Sequence, residues 1–274
     1  MVEMSILVIT DSRGRYLQDK LNEIFTQEPP HIIVKVVPGG TIQAAEQLVE
    51  NSYLDLGQID ILVLALGICN LTKKLKDENG TTLRYDSDDV SRQYKTRNLL
   101  DGINRLANSD KCKKVLIATI PPASLGKYNK SKNPGKSQLN YEIEQQSLLE
   151  DIQLINNKIK DINIEAGVPL IDWARFFFNI SVKRRRSGTI RTKITKFTDT
   201  NLNDGVHFND KVRRNCHGKL ALVLQQTYLA SMKHRPSLLI TFDRETESQT
   251  SQDSEIEEQW DFKRIKSVCV PKQK

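Results

Sequence analysis

Two short segments of this chain carry side chains that can activate a nucleophile. Ser12 follows an apolar run and precedes a helical one, so its hydroxyl should project from the end of a strand. Asp204 stands three residues before His207, and at that spacing its carboxylate can accept the imidazole Nδ1–H and leave Nε2 free as a base. Both segments also have a structural interpretation, because Ser and Asp are common helix caps and a histidine beside a cap can simply be solvated.

Three further residues offer hydrogen-bond donors that can hold an anion. Gly39 and Gly40 stand in a Pro-Gly-Gly-Thr segment, where glycine lets a backbone N–H approach a ligand without an intervening side chain. Asn70 closes a Leu-Gly-Ile-Cys-Asn segment and offers an amide N–H₂. The alternative interpretations are an ordinary turn for the glycines and an Asx turn for the asparagine. With a serine, a base and a carboxylate, such donors complete what acyl transfer requires.

Short apolar runs separate these segments and predict the elements that position them. Their continuous apolar character is typical of strands covered on both faces. Helical spacing follows, most clearly over residues 87–108, 140–166 and 208–232. The alternation predicts a parallel sheet between helical layers, with the polar segments gathered at the carboxyl ends of the strands. The runs cover residues 5–10, 31–37, 60–66 and 114–120, with a weaker run at 168–172.

The order Ser, Gly, Asn and Asp-x-x-His resembles that of the SGNH, or GDSL-type, hydrolase superfamily. The matching segments are Thr-Asp-Ser at 10–12, Gly39 with Thr41, Gly-x-x-Asn at 67–70 and Asp-x-x-His at 204–207, within a resemblance that spans about residues 4–232. It implies an α/β fold, namely a flavodoxin-like three-layer sandwich with a parallel, mostly five-stranded sheet. It also implies a serine esterase that needs no cofactor or metal and acts on a small-molecule or acyl-ester substrate.

The resemblance also implies a role for each matched residue. Ser12 is the implied nucleophile, and Asp204 and His207 are its activating pair. The implied oxyanion donors are the N–H groups of Ser12 and Gly39, with Gly40 as second choice, and the amide of Asn70.

Two residues beside the implied nucleophile depart from the family pattern. Thr10 stands where Gly is usual, and we expect it to narrow the site. Arg13 stands where Leu is usual, and we expect it to place a cation beside the substrate. An α/β-hydrolase is not indicated, because the chain has no G-x-S-x-G segment.

An excess of basic residues suggests an alternative function. Lys and Arg number 41 against 34 Asp and Glu, for a net charge of +7, and the excess lies before residue 234. Two segments predicted as loops, 125–138 and 181–200, are basic, and they predict an SGNH-like module that binds nucleic-acid phosphates, with or without esterase activity. Solvated loops or a localisation signal explain such runs equally well. The phosphate-binding candidates are Lys183, Arg184, Arg185, Arg186, Arg191, Lys193 and Lys196, which Lys127 to Lys136 could extend.

Cysteine spacing and hydropathy exclude other classes of site. The four cysteines form no C-x-x-C pair, so neither a zinc site nor a redox motif is indicated. The N-terminus lacks the basic region of a secretory signal, and no stretch approaches the roughly 20 apolar residues that span a bilayer. We expect an intracellular, cytoplasmic protein with a hydrolase-like domain over residues 1–233 and a disordered polar tail over 234–274.

Overall fold

A computed structural model of the chain describes residues 4–26, 29–78, 80–134, 141–184 and 190–233, and for residues 179–184 and 190–196 it describes the backbone alone. The tail predicted for residues 234–274 lies outside this range. In chain order the elements are β1 (Ser5–Thr10), α1 (Leu17–Ile24), β2 (His31–Val36), α2 (Ile42–Leu56), β3 (Ile59–Ala65), α3 (Ile68–Leu71), β4 (Thr72–Asp77), β5 (Gly80–Tyr85), α4 (Asp89–Ala107), β6 (Cys112–Ile117), α5 (Leu125–Lys132), α6 (Glu142–Glu165), β7 (Phe178–Arg184), β8 (Ile190–Phe197) and α7 (Asp210–Lys233).

The central sheet has the strand order β2-β1-β3-β6, and its three strand pairs are parallel. Ala118 and Ile171 add one isolated parallel bridge beyond β6, so the predicted fifth strand at 168–172 is reduced to a single contact. This succession of strands is that of flavodoxin-like folds, in which the second strand lies outside the first and later strands extend the other edge. The predicted α/β fold class is therefore confirmed.

The two faces of the sheet carry separate apolar cores, which explains the continuous apolar runs. Side chains alternate along a strand, so Leu7 and Ile9 face one helical layer while Ile6 and Val8 face the other. The first core includes residues of α2, α4 and α6, and the second includes residues of α1 and α7. Because both faces are covered, nearly every β1 side chain contributes to stability, at about 1.5 to 3 kcal/mol for each large apolar one.

Two segments predicted as loops have regular structure. Within 125–138, residues 125–132 form α5, whose first turn is capped by the Ser124 hydroxyl accepting the Lys127 N–H at 3.3 Å. Within 181–200, β7 and β8 form an antiparallel hairpin. Its residues alternate between apolar and polar types, a period-two pattern that the high charge of the segment obscured.

The remaining hairpin, formed by β4 and β5, has no counterpart among the predicted elements. It follows α3 directly and lies outside the central sheet. No helix among residues 4–26, 29–78, 80–134, 141–184 and 190–233 combines the length and apolar character that a membrane crossing demands.

Candidate active site

The register of the central sheet brings the polar segments to one edge. Thr10, the last residue of β1, pairs with Val36 at the end of β2 and with Ala65 at the end of β3. Three chain segments therefore leave the sheet side by side, and they carry Ser12, the Gly39 turn and Asn70. In flavodoxin-like folds this carboxyl edge is where ligands bind.

Ser12 occupies a single 3₁₀ turn instead of the first turn of an α-helix. The turn covers Ser12 to Gly14, and the helical segment expected after the serine, α1, begins at Leu17. Asp11 caps the turn, because its Oδ1 accepts the Arg13 N–H at 2.9 Å. The short turn leaves the Ser12 side chain partly exposed, with Oγ 3.0 Å from Nε2 of His207.

Asp204 fixes the orientation of His207 through three hydrogen bonds. Its Oδ2 lies 2.8 Å from His207 Nδ1, and its Oδ1 accepts the backbone N–H groups of His207 and Val206 at 2.9 and 3.1 Å. Burial alone would raise the pKa of this carboxyl, but the hydrogen bonds from His207 and Val206 hold it well below its usual range. An ionised Asp204 requires a proton on Nδ1, so Nε2 is left as the acceptor facing the Ser12 hydroxyl.

The two glycines after β2 differ in what their N–H groups do. Gly40 donates to the carbonyl of Val37 at 2.9 Å, so this N–H is already used in the turn. Gly39 is exposed with φ at 72°, and its N–H has no partner among the residues that the structure describes. Ser12 N–H is likewise without a protein partner within the described chain. Of the two glycines, Gly39 is therefore the one whose N–H is free, within the described residues, to bind a ligand.

Asn70 lies in the short helix α3 and connects the end of β3 to the start of α2. Its Oδ1 accepts the Ile42 N–H at 2.9 Å, which satisfies one of the free donors at the helix N-terminus. Its Nδ2 donates to Oε1 of Gln43 at 3.0 Å. An amide nitrogen carries two hydrogens, so one donor of Asn70 remains for a ligand.

The loop that carries Asp204 and His207 rests on α5. The Ser124 N–H donates to the Gly205 carbonyl at 2.7 Å, and Lys127 Nζ donates to the carbonyls of Asp199 and Leu202 at 3.0 and 2.6 Å. Lys127 therefore supports this loop, whereas the sequence suggested that it extends a phosphate-binding strip. Residues 135–140, including Lys136, lie outside the described residues.

Neither family departure beside Ser12 has the expected effect. Thr10 is fully buried and donates to the Ala65 carbonyl at 3.1 Å, so it fills the core and does not narrow the site. Arg13 is only 3% exposed, and its guanidinium donates to backbone carbonyls instead of facing a substrate. No local signal predicts these contacts, because the Val206 carbonyl bound by Arg13 is 193 residues away in the chain.

The basic hairpin is described at the level of its backbone. Lys183, Arg184, Arg191, Lys193 and Lys196 lie on β7 and β8, whereas Arg185 and Arg186 fall outside the described residues.

No metal-binding geometry accompanies the Ser12 site. Within the described part of the chain, no three His, Cys, Asp or Glu side chains are grouped to hold a metal ion. Cys69, Cys112 and Cys216 are free thiols, and Cys269 lies outside the described residues.

No family model matches the chain, and no curated protein matches its sequence. Solved structures do show similarity. One is a GDSL-like lipase from Bacteroides thetaiotaomicron VPI-5482, 12% identical, with a TM-score of 0.49 over 83% of this chain and 88% of that chain. Another is a member of the lipolytic G-D-S-L family from Veillonella parvula DSM 2008, 14% identical, with a TM-score of 0.47 over 81% and 99%. A third is a catalytic mutant of an acetylxylan esterase from Geobacillus stearothermophilus, 12% identical, with a TM-score of 0.44 over 82% and 94%. The chain has a flavodoxin-like α/β fold and is similar to lipases and esterases of the GDSL type.

Proposed function

We propose that residues 1–233 form a serine hydrolase of the SGNH type, which cleaves an ester, acetyl or thioester bond through an acyl-enzyme on Ser12. The observation that carries this proposal is the approach of the Ser12 hydroxyl to His207 Nε2 at 3.0 Å, with Asp204 on the opposite ring nitrogen at 2.8 Å. A serine, a base and an orienting carboxylate in this sequence of contacts are the arrangement that activates a hydroxyl for acyl transfer.

The proposed reaction has two steps. His207 Nε2 takes the proton of Ser12 as Oγ attacks the carbonyl carbon, and the same proton passes to the departing alcohol or thiol as the acyl–oxygen or acyl–sulfur bond breaks. Water then attacks the acyl-enzyme, giving its proton to His207, and the acid leaves as Ser12 regains a proton. Asp204 stays ionised and stabilises the imidazolium formed in each step.

Three donors are available for the negative charge that develops on the carbonyl oxygen. The N–H groups of Ser12 and Gly39 have no protein partner within the described chain, and Asn70 keeps one amide hydrogen. Donors that are fixed before the reaction stabilise the tetrahedral state without reorganising, and each contributes about 2.7 to 4 kcal/mol.

Turnover of a short-chain aryl ester tests this function. We expect the wild-type chain to hydrolyse aryl acetate and Ser12→Ala to lose about 1000-fold or more in kcat. Ser87→Ala is the matched control, because it removes an exposed hydroxyl just before α4 and should retain wild-type turnover. Equal turnover by the wild type and Ser12→Ala would exclude the proposal. A stoichiometric acyl adduct on Ser12, detected by mass spectrometry after acid quench, would identify the nucleophile directly.

The backbone register of β7 and β8 favours a second candidate function, binding of nucleic-acid phosphates. Lys183 pairs with Arg191, Ser181 with Lys193 and Asn179 with Lys196. These pairs alternate with pairs built mainly from Ile and Val, so positions 183, 191, 193 and 196 share one face of the ribbon. Arg184 pairs with Ile190 and belongs to the opposite face. Neither strand contains an acidic residue, so this face concentrates positive charge without a compensating carboxylate of its own.

Binding of generic single-stranded RNA across a salt series tests this second function. We expect log K to fall linearly with log salt. Exchange of residues 183, 191, 193 and 196 for Gln should weaken binding and reduce the slope by roughly 0.7 for each phosphate that the protein no longer neutralises. Lys35→Gln with Lys158→Gln is a control that removes exposed cations elsewhere. An affinity that does not depend on salt, or an unchanged slope in the hairpin variant, would exclude phosphate binding by this face.

A further inference from the structure

We propose that Arg13 is a positioning residue that holds the His207 loop against the Ser12 turn, an inference that rests on the proposed serine hydrolase function. Arg13 follows Ser12 directly in the chain, and its Nε donates to the carbonyl of Val206, the residue before His207, at 3.1 Å. One side chain therefore connects the two segments whose separation sets the distance from Oγ to Nε2.

The Arg13 guanidinium also binds a third segment of the chain. Its Nη1 donates to the Pro121 carbonyl at 2.9 Å and its Nη2 to the Pro122 carbonyl at 3.4 Å, both in the connection between β6 and α5. The guanidinium carbon also lies 5.5 Å from the centre of the Phe208 ring. Because α5 also supports the loop of Asp204 and His207, Arg13 holds that loop both directly and through the connection that leads into α5.

The burial of the Arg13 guanidinium carries an energetic cost that an apolar side chain would not have. The side chain is 3% exposed, and within the described chain it makes no ion pair, so backbone carbonyls and the Phe208 ring solvate its charge. Burying a charge is unfavourable unless every donor is satisfied by well-placed acceptors. Only the planar fork of arginine presents several donors in fixed directions, whereas lysine supplies one ammonium centre. A simple packing role would be met by an apolar side chain of similar length, such as Leu or Met.

The backbone of Arg13 is fixed as well. His217 of α7 is 3% exposed, and its Nε2–H donates to the Arg13 carbonyl at 2.9 Å. Burial lowers the pKa of His217, which favours the neutral imidazole. Arg13 is thus bound through both its main chain and its side chain. A shift of α7 or of the β6–α5 connection would therefore move the Ser12 turn as well.

Kinetics of Arg13 variants, made in the full chain, test the proposal. We expect Arg13→Met to lower kcat for aryl acetate about 100-fold, as for a misplacement near 1 Å, while KM changes less than about twofold. The kcat of Arg13→Lys should lie between those of Arg13→Met and the wild type, because lysine restores one cationic donor but lacks the planar guanidinium. Arg92→Met is the matched control, since it removes a mostly buried arginine whose ion pair with Asp151 lies on the α4 and α6 layer. It should lose stability but keep its kcat.

A measurement without turnover separates failure of this proposal from failure of the proposed function. In the ¹⁵N spectrum of histidine-labelled protein, the His207 Nε2 shift reports its hydrogen bond with Ser12, and Ser12→Ala supplies the shift without that bond. We expect Arg13→Met and, to a smaller extent, Arg13→Lys to move the Nε2 shift toward the Ser12→Ala value. A folded Arg13 variant with the wild-type shift overturns the proposal whether or not the wild type hydrolyses esters. If Arg13→Met does not fold, Arg13→Lys decides: a wild-type shift and kcat would overturn it.

Discussion

Asp204 binds both the backbone and the side chain of His207: its Oδ1 accepts the backbone N–H at 2.9 Å, and its Oδ2 lies 2.8 Å from the ring Nδ1. The first bond sets the turn of the chain, and the second sets the orientation of the ring within that turn. The carboxylate therefore stabilises the turn and also binds the imidazole. It does not cap a helix, because α7 begins only at Asp210 and Asn209 Oδ1 accepts the Val212 N–H at 2.9 Å.

Substitution of Asp204 should separate these two contributions. Asp204→Asn keeps an acceptor oxygen for the backbone but no longer favours the tautomer with its proton on Nδ1. We expect kcat for aryl acetate to fall about 10⁴-fold while the fold is retained. Asp210→Asn, in the exposed first turn of α7, is the control and should keep its activity. Wild-type kcat in a folded Asp204→Asn would show that Asp204 does not orient the base.

Acidification should remove the stabilisation that the Asp204 carboxylate provides. Burial opposes its ionisation, but hydrogen bonds from His207 and Val206 place its folded-state pKa below the unfolded value of about 3.9. A carboxyl shifted in this direction stabilises the fold above the unfolded pKa and loses that contribution as the pH falls toward the folded pKa. We expect the Tm difference between wild type and Asp204→Asn to shrink as the pH falls below about 4. Thermal melts between about pH 5 and pH 2 check it, and a difference that widens across this range would contradict it.

The sequence predicted the central sheet and the long helices well, because a strand that is buried on both faces has a continuous run of apolar residues. The runs at 5–10 and 31–37 correspond to β1 and β2 within one residue, and the long helices after residues 87, 140 and 208 are present. The weaker run at 168–172 lies at the sheet edge, where fewer contacts constrain it, and it makes only the Ala118–Ile171 bridge.

Long-range polar contacts explain what the sequence could not predict. The spacing of Asp204 and His207 is local, so their contact can be derived from the chain. The contacts of Arg13 and Lys127 join residues 193 and 75 positions apart, and they satisfy backbone carbonyls whose exposure depends on the assembled fold. The sequence suggested a substrate as the partner of Arg13 and phosphate or solvent as the partner of Lys127, whereas the carbonyls that bind these two side chains come together only after folding.

Asn70 should be essential for transition-state stabilisation and less so for the fold. Asn70→Asp keeps an oxygen for the Ile42 N–H but loses the Nδ2 donor, so we expect kcat to fall about 100-fold to 1000-fold with a Tm near wild type. Asn70→Ala should lose the same activity and also about 1 kcal/mol of stability, because the Ile42 N–H at the start of α2 loses its acceptor while the Thr41 cap remains. Gln43→Ala, which removes only the exposed partner of Nδ2, should stay active. Full activity in Asn70→Ala would exclude Asn70 from the oxyanion site.

At position 16 we expect the glycine variant to be more stable than the alanine variant, which is the reverse of the usual order. Within the described residues Tyr16 is the only non-glycine with positive φ, at 68°, and it is 64% exposed with the Arg213 guanidinium 4.8 Å from its ring centre. Both substitutions remove that cation–π interaction, but only Gly relieves the left-handed backbone, which disfavours other residues by about 1 to 2 kcal/mol. Urea denaturation should therefore show Tyr16→Gly to be more stable than Tyr16→Ala. An Ala variant as stable as the Gly variant would show that the backbone is unstrained.

Gly205 should tolerate no side chain, because the loop of Asp204 and His207 touches α5 through backbone atoms. A Cβ at Gly205 would lie 2.4 Å from the Tyr128 nitrogen and 2.5 Å from the Ser124 oxygen, and its φ of 91° already disfavours alanine. The loop must therefore move away from α5 in Gly205→Ala, and we expect a loss of more than about 2 kcal/mol in unfolding free energy together with a fall in kcat.

Gly167→Ala is the matched control for Gly205→Ala, because its φ of 63° is also positive but no atom lies within 4 Å of the added Cβ. Backbone strain alone should then reduce its stability by about 1 to 2 kcal/mol and leave kcat unchanged. The difference between the two variants reports mainly how tightly the loop packs on α5, with a smaller contribution from the larger φ of Gly205. Equal losses of stability with retained activity in Gly205→Ala would mean that α5 yields to the side chain, and that the position of His207 does not depend on this packing.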